Sequence, residues 1–278
     1  MNVWFGTAGY SYPAWVGGFY PKGTASPGLL PYYARHFPVV EINSSFHRPP
    51  TVAQARKMAG KVPPGFRFVL KVPQSASHGF EPTDLPAFRA AAEAVAETGK
   101  LHGLLVQVAE SFHNTPGHRD WLVTIRDALR PFPLAVEFRH VSWDVPAVPA
   151  WIEKNEFTLV GVGVPDIPTL YPRGLRVVGK RLYARLHTEN ADNWYAGGEK
   201  RYDHDYAPAT LRRLADGLQR AAERGVEEAV VIFNNCVGIQ AVTNAKALAE
   251  LLTANGGKVA VVPVPKAVER TLFDAVEV

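Results

Sequence analysis

Residues 39–43 read Val-Val-Glu-Ile-Asn, a short apolar run that carries an acid and an amide at alternate positions. Runs of this length that are rich in branched residues are typical of strands buried on both faces of a parallel sheet. Because side chains alternate along a strand, Glu41 and Asn43 share one face while Ile42 takes the other. A charge placed inside a strand is costly unless it is paired or used. The run therefore predicts a strand of an α/β fold with polar groups on its inner face.

Further runs of the same kind recur along the chain and are separated by helical patterns. The predicted strands are Val3–Ala8, Val39–Asn43, Arg67–Val72, Leu101–Val108, Leu134–Phe138, Thr158–Val162, Leu182–His187 and Ala229–Phe233. Strand–helix alternation implies parallel strands joined by crossover helices. The eight units predict one TIM-type (β/α)₈ barrel, a single domain that spans residues 1–278.

One connection departs from this alternation. Between Val162 and Leu182 there is no helical stripe, and Pro165, Pro168 and Pro172 interrupt the segment. Proline lacks a backbone donor and breaks the interior of a helix. We therefore predict an irregular connection between strands six and seven, which makes the barrel a variant form.

The composition is that of an ordinary folded protein, with 47% hydrophobic and 20% charged residues. The single cysteine, Cys236, excludes an internal disulfide and a zinc site built on several thiolates. A formal net charge of +4 permits an anionic ligand, but the basic residues never form a dense run. Without a leader pattern or a long apolar window, we expect a cytoplasmic protein that does not contact the membrane. The sequence makes no prediction about the oligomeric state.

Polar residues collect where the predicted strands end, the edge at which such barrels hold their sites. Glu137 and Arg139 lie two residues apart and share a face, and the same holds for Arg185 and His187. We expect twelve residues to converge on this mouth: Glu41, Asn43, Phe46, Lys71, Gln107, Glu137, Arg139, Trp143, Arg185, His187, Asn234 and Asn235.

These motifs resemble those of the YecE-like family, also known as domain of unknown function 72. The opening Gly-Thr-Ala-Gly-Tyr-Ser-Tyr at 6–12 is similar to the family's first signature, and Val-Glu-Ile-Asn-Ser-Ser-Phe-His-Arg at 40–48 is similar to its second. Matching motifs follow in the family's order: Lys71-Val72-Pro73, Glu137-Phe138-Arg139, Arg185-Leu186-His187 and Phe233-Asn234-Asn235. The resemblance implies a TIM-type barrel and no activity, because the function of the family is unknown.

The chain departs from the family's pattern at a few loop positions. Ala8 and Tyr10 stand where the family more usually has Ser and Trp, and Thr188 stands where Gly is frequent. Cys236 follows the Asn pair, where a larger polar residue is common. These departures concern details of the loops and leave the predicted fold unchanged.

The residues at the mouth predict an enzyme of hydrolase or isomerase type that acts on a small anionic substrate, such as a sugar phosphate or a nucleotide. Lys71 and Arg185 would hold the anion, because ammonium and guanidinium groups pair with phosphate. Glu41 or Glu137 would be the base and His187 the acid.

Other residues at the mouth would bind and orient the substrate. Arg139 would add a second guanidinium for an anion. Flat walls for a sugar ring or a base would come from Phe46, Trp143, Tyr195 and Tyr202. Amide side chains would orient the substrate: Asn43, Gln107, Asn234 and Asn235.

Each of these residues also has a structural interpretation. Glu41 and Glu137 could form buried ion pairs with the cations of the interior, and His187 could be a hydrogen-bonded interior histidine. Lys71 could form a salt bridge to Glu41, or act as a Schiff-base nucleophile. Asn234 or Asn235 could cap the helix that begins near residue 239.

Two other classes of function stay open at this stage. The net positive charge and the exposed aromatic residues would suit a protein that binds nucleic acid, with a metal-using endonuclease as its enzymatic form. A barrel that binds a ligand without converting it is the other alternative.

A divalent metal ion would take Glu41, Glu137 and His187 as ligands. Gly6 and Gly9 are too sparse for the dinucleotide fingerprint, so the sequence carries no nucleotide-cofactor motif.

Overall fold

The computed structural model describes residues 1–266. Its parallel strands are β1 (Asn2–Ala8), β2 (Val39–Ile42), β3 (Arg67–Lys71), β4 (Leu101–Gln107), β5 (Leu134–Glu137), β6 (Phe157–Gly163), β7 (Arg181–Leu186), β8 (Glu228–Phe233) and β9 (Ala260–Val261). Each of β1 to β7 pairs with the next strand in the chain, and β8 returns to pair with β1. This closure of eight strands confirms the predicted (β/α)₈ barrel.

Helices surround the barrel and connect its strands. Their bounds are α1 (Ser26–Tyr33), α2 (Ser44–His47), α3 (Val52–Ala59), α4 (Gln74–Ser77), α5 (Leu85–Ala96), α6 (Pro116–Leu129), α7 (Ala147–Lys154), α8 (Ala191–Trp194), α9 (Pro208–Glu223) and α10 (Gln240–Asn255). Local signals set several of these ends. The Thr51 hydroxyl accepts a hydrogen bond from the backbone N–H of Gln54, whose side chain accepts one from the backbone of Thr51, a complete capping box at the start of α3.

Residues 164–180, between β6 and β7, contain no helix. Instead the segment folds back against β6, where the backbone N–H of Gly174 donates to the carbonyl of Val162 at 2.8 Å. Gly161 allows this approach, because a Cβ at that position would lie 2.5 Å from the carbonyl oxygen of Gly174. The irregular connection predicted from the prolines is confirmed.

The ninth strand was not predicted from the sequence. Two of its residues, Ala260 and Val261, pair with the start of β1 at Asn2 and Val3. They occupy the side of β1 that β2 leaves free, since β2 pairs with residues 6–8 of that strand. A two-residue strand is too short to show periodicity, so only the fold reveals it.

Candidate functional site

A cavity of 400 Å³ opens where the carboxyl ends of the strands meet the following loops. Its lining contains both charged and aromatic side chains. The residues are Tyr12, Pro13, Ala14, Asn43, Lys71, Gln107, Arg139, Arg185, Glu199, Tyr202, Asn234, Cys236, Val237 and Gly238. Parallel strands place the residues at their carboxyl ends side by side, which is why side chains distant in sequence share this cavity.

Arg185 lies at the base of the cavity and bonds to two buried carboxylates. Its Nε donates to Glu41 Oε2 at 2.8 Å and its Nη2 to Glu41 Oε1 at 2.6 Å, a bidentate pair. Its Nη1 donates to Glu137 Oε2 at 2.5 Å. The hydroxyl of Tyr183 also donates to Glu41 Oε2, at 2.5 Å. Glu41 and Glu137 are fully buried, and their bonds to the Arg185 guanidinium compensate the two negative charges.

The cations around Glu137 hold its carboxyl group ionised. Burial alone would raise the pKa of Glu137, but the charges of Arg139 and Arg185 bring it well below the ordinary value, with a smaller contribution from the neighbouring ring of His187. Neither Glu137 nor Glu41 is among the residues that line the cavity. The structure therefore assigns both acids to the ion-pair network of the interior, and not to the position in which a base would meet a substrate.

Arg139 extends from this network into the cavity. Its Nη2 lies 2.5 Å from Glu137 Oε1, and its guanidinium lies 5.2 Å from the centre of the Trp194 ring. The ion pair and the ring together hold the guanidinium in place. Arg139 thus presents a positioned cation to the space that a ligand would fill.

Within residues 1–266, the buried amine of Lys71 forms no salt bridge with Glu41 or Glu137. Its Nζ donates to Gln107 Oε1 at 2.8 Å and lies 3.9 Å from the centre of the Phe46 ring. The salt bridge to Glu41 considered from the sequence does not form, because the carboxylate of Glu41 is held by Arg185 instead. Burial, with the nearby Arg185 next in weight, lowers the pKa of Lys71 from 10.5 to about 7. Phe46 lies beside this amine and is not among the residues that line the cavity, so its predicted role as a wall stays a prediction.

His187 occupies an interior position that does not suit the predicted acid role. The side chain is fully buried, with Nε2 3.2 Å from Glu137 Oε1 and Nδ1 2.8 Å from the amide nitrogen of Asn234. Burial first, and then the charge of Arg139, lower its pKa to about 3. At neutral pH the imidazole is uncharged and does not line the cavity, so it is placed to hold Glu137 and Asn234 in position and not to act as an imidazolium acid on a ligand in the cavity.

The amide side chains predicted to orient a substrate fall into two groups. Asn43, Gln107 and Asn234 line the cavity, and the side-chain Oδ1 of Asn43 has no hydrogen-bond partner within residues 1–266. Asn235 is turned away, since its amide donates to the His204 carbonyl at 2.7 Å and to Asn244 Oδ1 at 2.8 Å. The helix α10 begins without a hydrogen bond from a capping side chain, so neither Asn234 nor Asn235 has the capping role considered from the sequence.

Trp143 lies behind the barrel wall and not at the mouth. Its ring stacks on Phe138 at 4.0 Å, and its Nε1 donates to the Phe112 carbonyl at 2.7 Å. Phe138 points outward from β5, and the loop after the strand folds Trp143 onto that outer face, where it is fully buried. The substrate-wall role predicted for Trp143 is therefore not available to it.

Several lining residues were not among the predicted site residues. Tyr12 belongs to the loop after β1, where its hydroxyl donates to the carbonyl of Ala8. Glu199 comes from the short 3-10 helix Gly198–Tyr202 after β7, which also places Tyr202, an aromatic residue considered for the mouth from the sequence, in the lining. The signal that could have found them is position alone, because loops that follow barrel strands contribute to this mouth.

Cys236 lines the cavity as a protonated thiol. Burial raises its pKa to about 12, and a thiol is nucleophilic only as the thiolate. Cys236 is therefore part of the wall and not a nucleophile at neutral pH.

The predicted metal ligands do not form a metal-binding set. Glu41 and Glu137 direct their oxygens to arginines, and His187 places its ring nitrogens against Glu137 and Asn234. Within residues 1–266, no group of three or more His, Cys, Asp or Glu side chains is arranged to hold an ion.

Over residues 1–266, no helix has the length and apolar character needed to cross a membrane.

Comparison with known proteins identifies the family. The family described as "Protein of unknown function DUF72" matches residues 4–269, nearly the whole chain. A curated relative, the UPF0759 protein YunF of Bacillus subtilis, is 26% identical over 259 residues, which cover 84% of this chain and 89% of that protein. The chain therefore belongs to the DUF72 family, as the motifs in its sequence indicate.

Solved structures of the same family share the fold. A DUF72 family protein from Thermotoga maritima superposes with a TM-score of 0.83 and 32% identity, over 91% of this chain and all of that chain (100%). A DUF72 family protein from Enterococcus faecalis gives a TM-score of 0.81 and 26% identity, over 96% of this chain and 100% of that chain.

Proposed function

We propose that this member of the DUF72 family is an enzyme that binds a small hydroxylated anion, such as a phosphorylated sugar or a nucleotide, at the mouth of its barrel. In this proposal Lys71 transfers a proton during an isomerisation or a hydrolysis. The observation that carries the proposal is Lys71 itself. It is a buried amine with a pKa of about 7 that faces a cavity and is held by a neutral amide instead of a carboxylate.

The charges of the lining support an anionic ligand. Lys71, Arg139 and Arg185 line the cavity, against the single acid of its described lining, Glu199. The buried acids already compensate Arg185, whereas Lys71 has no such contact. A phosphate or carboxylate bound by Arg139 would supply negative charge to a lining with an excess of cations, and charge-assisted bonds of this kind are among the stronger polar contacts in proteins.

The proton transfer follows from the pKa of Lys71. An amine whose pKa lies near the working pH is present in both protonation states, which is the condition for efficient general acid–base catalysis. The neutral amine would take a proton from the substrate, and the resulting ammonium would return it to another atom. Gln107 and the ring of Phe46 fix the nitrogen in place, so that this group need not reorganise during the reaction.

Neutral side chains complete the recognition of a hydroxylated ligand. The unpartnered side-chain Oδ1 of Asn43 can accept a hydrogen bond from a ligand hydroxyl. Asn234 is held by His187 and also borders the cavity. Tyr12 and Tyr202 present rings to the same space, and such rings pack against the apolar face of a sugar or a base.

Thermal-shift measurements with inorganic phosphate, sugar phosphates and nucleotides would test the proposal, followed by turnover assays on the compounds that bind. We expect Arg139→Gln to abolish the shift, and Lys71→Gln to remove turnover while a weakened shift persists. Lys57→Gln, which changes an exposed lysine on α3, is the matched control and should leave both unchanged. Equal turnover in Lys71→Gln and wild type would overturn the assignment of Lys71.

The same experiment separates the other functions. Saturable binding without turnover of any bound compound would favour a ligand-binding barrel over an enzyme. Treatment of a bound carbonyl compound with borohydride would detect a covalent adduct on Lys71 and so identify a Schiff-base route. Retention of DNA or RNA in a low-salt gel shift, lost as salt increases, would favour the nucleic-acid alternative.

A further inference from the structure

We propose that the outer wall of the barrel holds a second binding site, for an amphipathic anion with an apolar body and one carboxylate or phosphate group. The site is the cavity between α9 and the irregular connection at residues 173–177. It has a volume of 510 Å³ and shares no residue with the described lining of the cavity at the mouth. We refer to it as the α9 groove.

The α9 groove lies where the barrel lacks a crossover helix. Its floor is formed by Gly161–Gly163 of β6 and by Leu186 of β7, and one wall is formed by Leu214 and Gly217 of α9. In a regular unit a helix would cover these strands, but residues 164–180 contain none. The accessible apolar surface of the recess comes from its walls, where Leu175 and Leu214 are half-buried and Val177 is 37% exposed, and a recess with apolar walls is the usual form of a small-molecule site.

The connection meets its neighbours tightly at two glycines and leaves space elsewhere. A Cβ at Gly161 would lie 2.5 Å from the carbonyl oxygen of Gly174, and a Cβ at Gly217 would lie 2.9 Å from Leu175 Cδ1. These contacts fix the distance between the connection and α9. The recess is thus bounded by backbone packing at β6 and by the Leu175 side chain at α9.

Arginines surround the recess. Arg213, Arg220 and Arg224 belong to α9 or follow it directly, and Arg173 lies on the opposite wall. The three on the α9 side are seven and four residues apart, which places them on one face of the helix. Within residues 1–266 none of these three forms a salt bridge, and Arg213 Nη2 donates instead to Thr210 Oγ1 at 2.8 Å. Three such guanidinium groups beside one recess suit an anionic group on the ligand.

A buried hydroxyl group at the same recess gives independent support. Tyr206 lines the α9 groove and is 3% exposed, and within residues 1–266 its hydroxyl has no hydrogen-bond partner. A Cβ at position 163 would lie 2.8 Å from that oxygen, so the hydroxyl packs against Gly163 in space that a larger residue would fill. A buried polar group without a partner is costly, and a polar atom of a bound ligand would satisfy it.

The chemistry of the ligand follows from these two parts. Leu175, Val177, Leu186 and Leu214 supply apolar surface for an acyl chain or an aromatic ring. Arg213 and Arg220 supply cations for one anionic group. Glu189 is the acid in the described lining, and its Oε2 lies 3.3 Å from Thr210 Oγ1. A fully polar anion would leave the apolar wall uncovered, so an amphipathic anion fits best.

Fluorescence of 8-anilinonaphthalene-1-sulfonate, an amphipathic anion, provides the test on the full chain. Wild type should enhance the fluorescence saturably with one site. The double variant Arg213→Gln/Arg220→Gln should weaken the binding by roughly tenfold or more, as expected for loss of charge-assisted contacts. Arg212→Gln, which changes an exposed arginine on the same helix outside the groove, should bind as wild type. Tyr206→Phe should weaken binding by roughly two- to fivefold, since it removes a single polar contact.

Competition and a mouth variant complete the design. Octanoate or octyl phosphate should displace the dye, whereas inorganic phosphate should not, and displacement by inorganic phosphate alone would overturn the amphipathic assignment. Lys71→Gln should leave dye binding unchanged, so that failure of this proposal is distinct from failure of the proposed function. Unchanged binding in the Arg213→Gln/Arg220→Gln variant, with its circular dichroism as in wild type, would remove the α9 groove as the site.

Discussion

Arg185 is the residue on which the charges of the barrel interior depend. It is 1% exposed and bonds to Glu41 and Glu137, which are both fully buried. A buried ion pair gains little net stability over apolar packing, because the cost of removing charges from water offsets the attraction. The network is therefore better explained as a support that positions Arg139 at the cavity and keeps two carboxylates away from it.

We predict that Arg185→Gln destabilises the fold strongly. The change leaves two buried carboxylates without their principal cation, and loss of one partner of such a network costs about 3–5 kcal/mol. Urea denaturation followed by tryptophan fluorescence measures the free energy of unfolding. Arg181→Gln is the control, because its pair with Glu228 has side chains 41% and 32% exposed and should contribute about 1 kcal/mol or less. A similar small loss in both variants would contradict the role of Arg185.

The lowered pKa of Lys71 predicts a change in stability with pH. Between pH 10.5 and about 7 the unfolded chain binds a proton at Lys71 that the folded chain does not, so wild type loses stability as the pH falls through this window. Below the folded pKa both states are protonated and the loss is complete. Lys71→Met removes this effect and should be more stable than wild type at neutral pH, by a few kcal/mol at about 1.4 kcal/mol per unit of pKa shift.

Thermal unfolding of Lys71→Met and wild type across this pH range measures the difference in stability between the two proteins. The advantage of Lys71→Met should grow as the pH is lowered from 10.5 toward 7 and then level off. Lys57→Met, at an exposed position, should show no such trend. A difference that is constant with pH would contradict a lowered pKa for Lys71.

Among the elements, the connection between β6 and β7 distinguishes this barrel from a regular one. It takes the place of a crossover helix, and its backbone packs directly onto β6 at Gly161. The absence of a Cβ at this position matters for close approach and not for a left-handed backbone conformation. The α9 groove lies between α9 and this connection, where a regular barrel would have a crossover helix.

We predict that Gly161→Ala destabilises the protein by about 1–3 kcal/mol, the usual cost of overpacking. The new Cβ would lie 2.5 Å from the carbonyl oxygen of Gly174 and 2.9 Å from the backbone nitrogen of Arg176, so the connection must shift. Thermal unfolding measures the loss. Gly117→Ala on α6, where a Cβ would meet nothing within 4 Å, is the control and should be neutral or slightly stabilising. Equal stability of both variants would mean that the connection is not packed as described.

At the scale of the whole molecule, β1 is the strand that closes the barrel. It pairs with β8 along residues 2–7, with β2 at residues 6–8, and with β9 at residues 2–3. The last described segment of the chain thus completes the pairing of the first. The backbone N–H of Ala260 donates to the Met1 carbonyl at 2.8 Å, and that of Val262 donates to the Val3 carbonyl at 2.9 Å.

We predict that a chain ending at Gly257 is less stable than one ending at Lys266. The shorter chain loses the hydrogen bonds of Ala260 and Val262 to β1, each contributing about 1 kcal/mol, the bond from the Met1 ammonium group to the Lys258 carbonyl, and the burial of Val259, which is 8% exposed. Chemical denaturation of both chains measures the difference, with the full-length protein as reference. A midpoint that is identical for the two truncated chains would show that β9 does not contribute to closure.

Much of the fold could be predicted from local patterns. The eight barrel strands, the break in the alternation after Val162 and the cap at Thr51 follow from periodicity, proline chemistry and capping preference. The site could be predicted only as a set of strand ends. Trp143 and Asn235 belong to that set by position, yet packing turns both away from the cavity.

The sequence by itself determined which residues form strands and which of their side chains point inward, because both depend on propensity and on the alternation of neighbouring residues. Only the tertiary structure decided which charges neutralise one another. Glu41 and Arg185 are 144 residues apart, yet they form a bidentate pair. Because this pair occupies the Glu41 carboxylate, Lys71 Nζ donates its hydrogen bond to the Gln107 side chain instead. The protonation of a buried group depends on its burial and on the charges within a few ångströms, which the closure of the barrel sets and the order of residues along the chain does not.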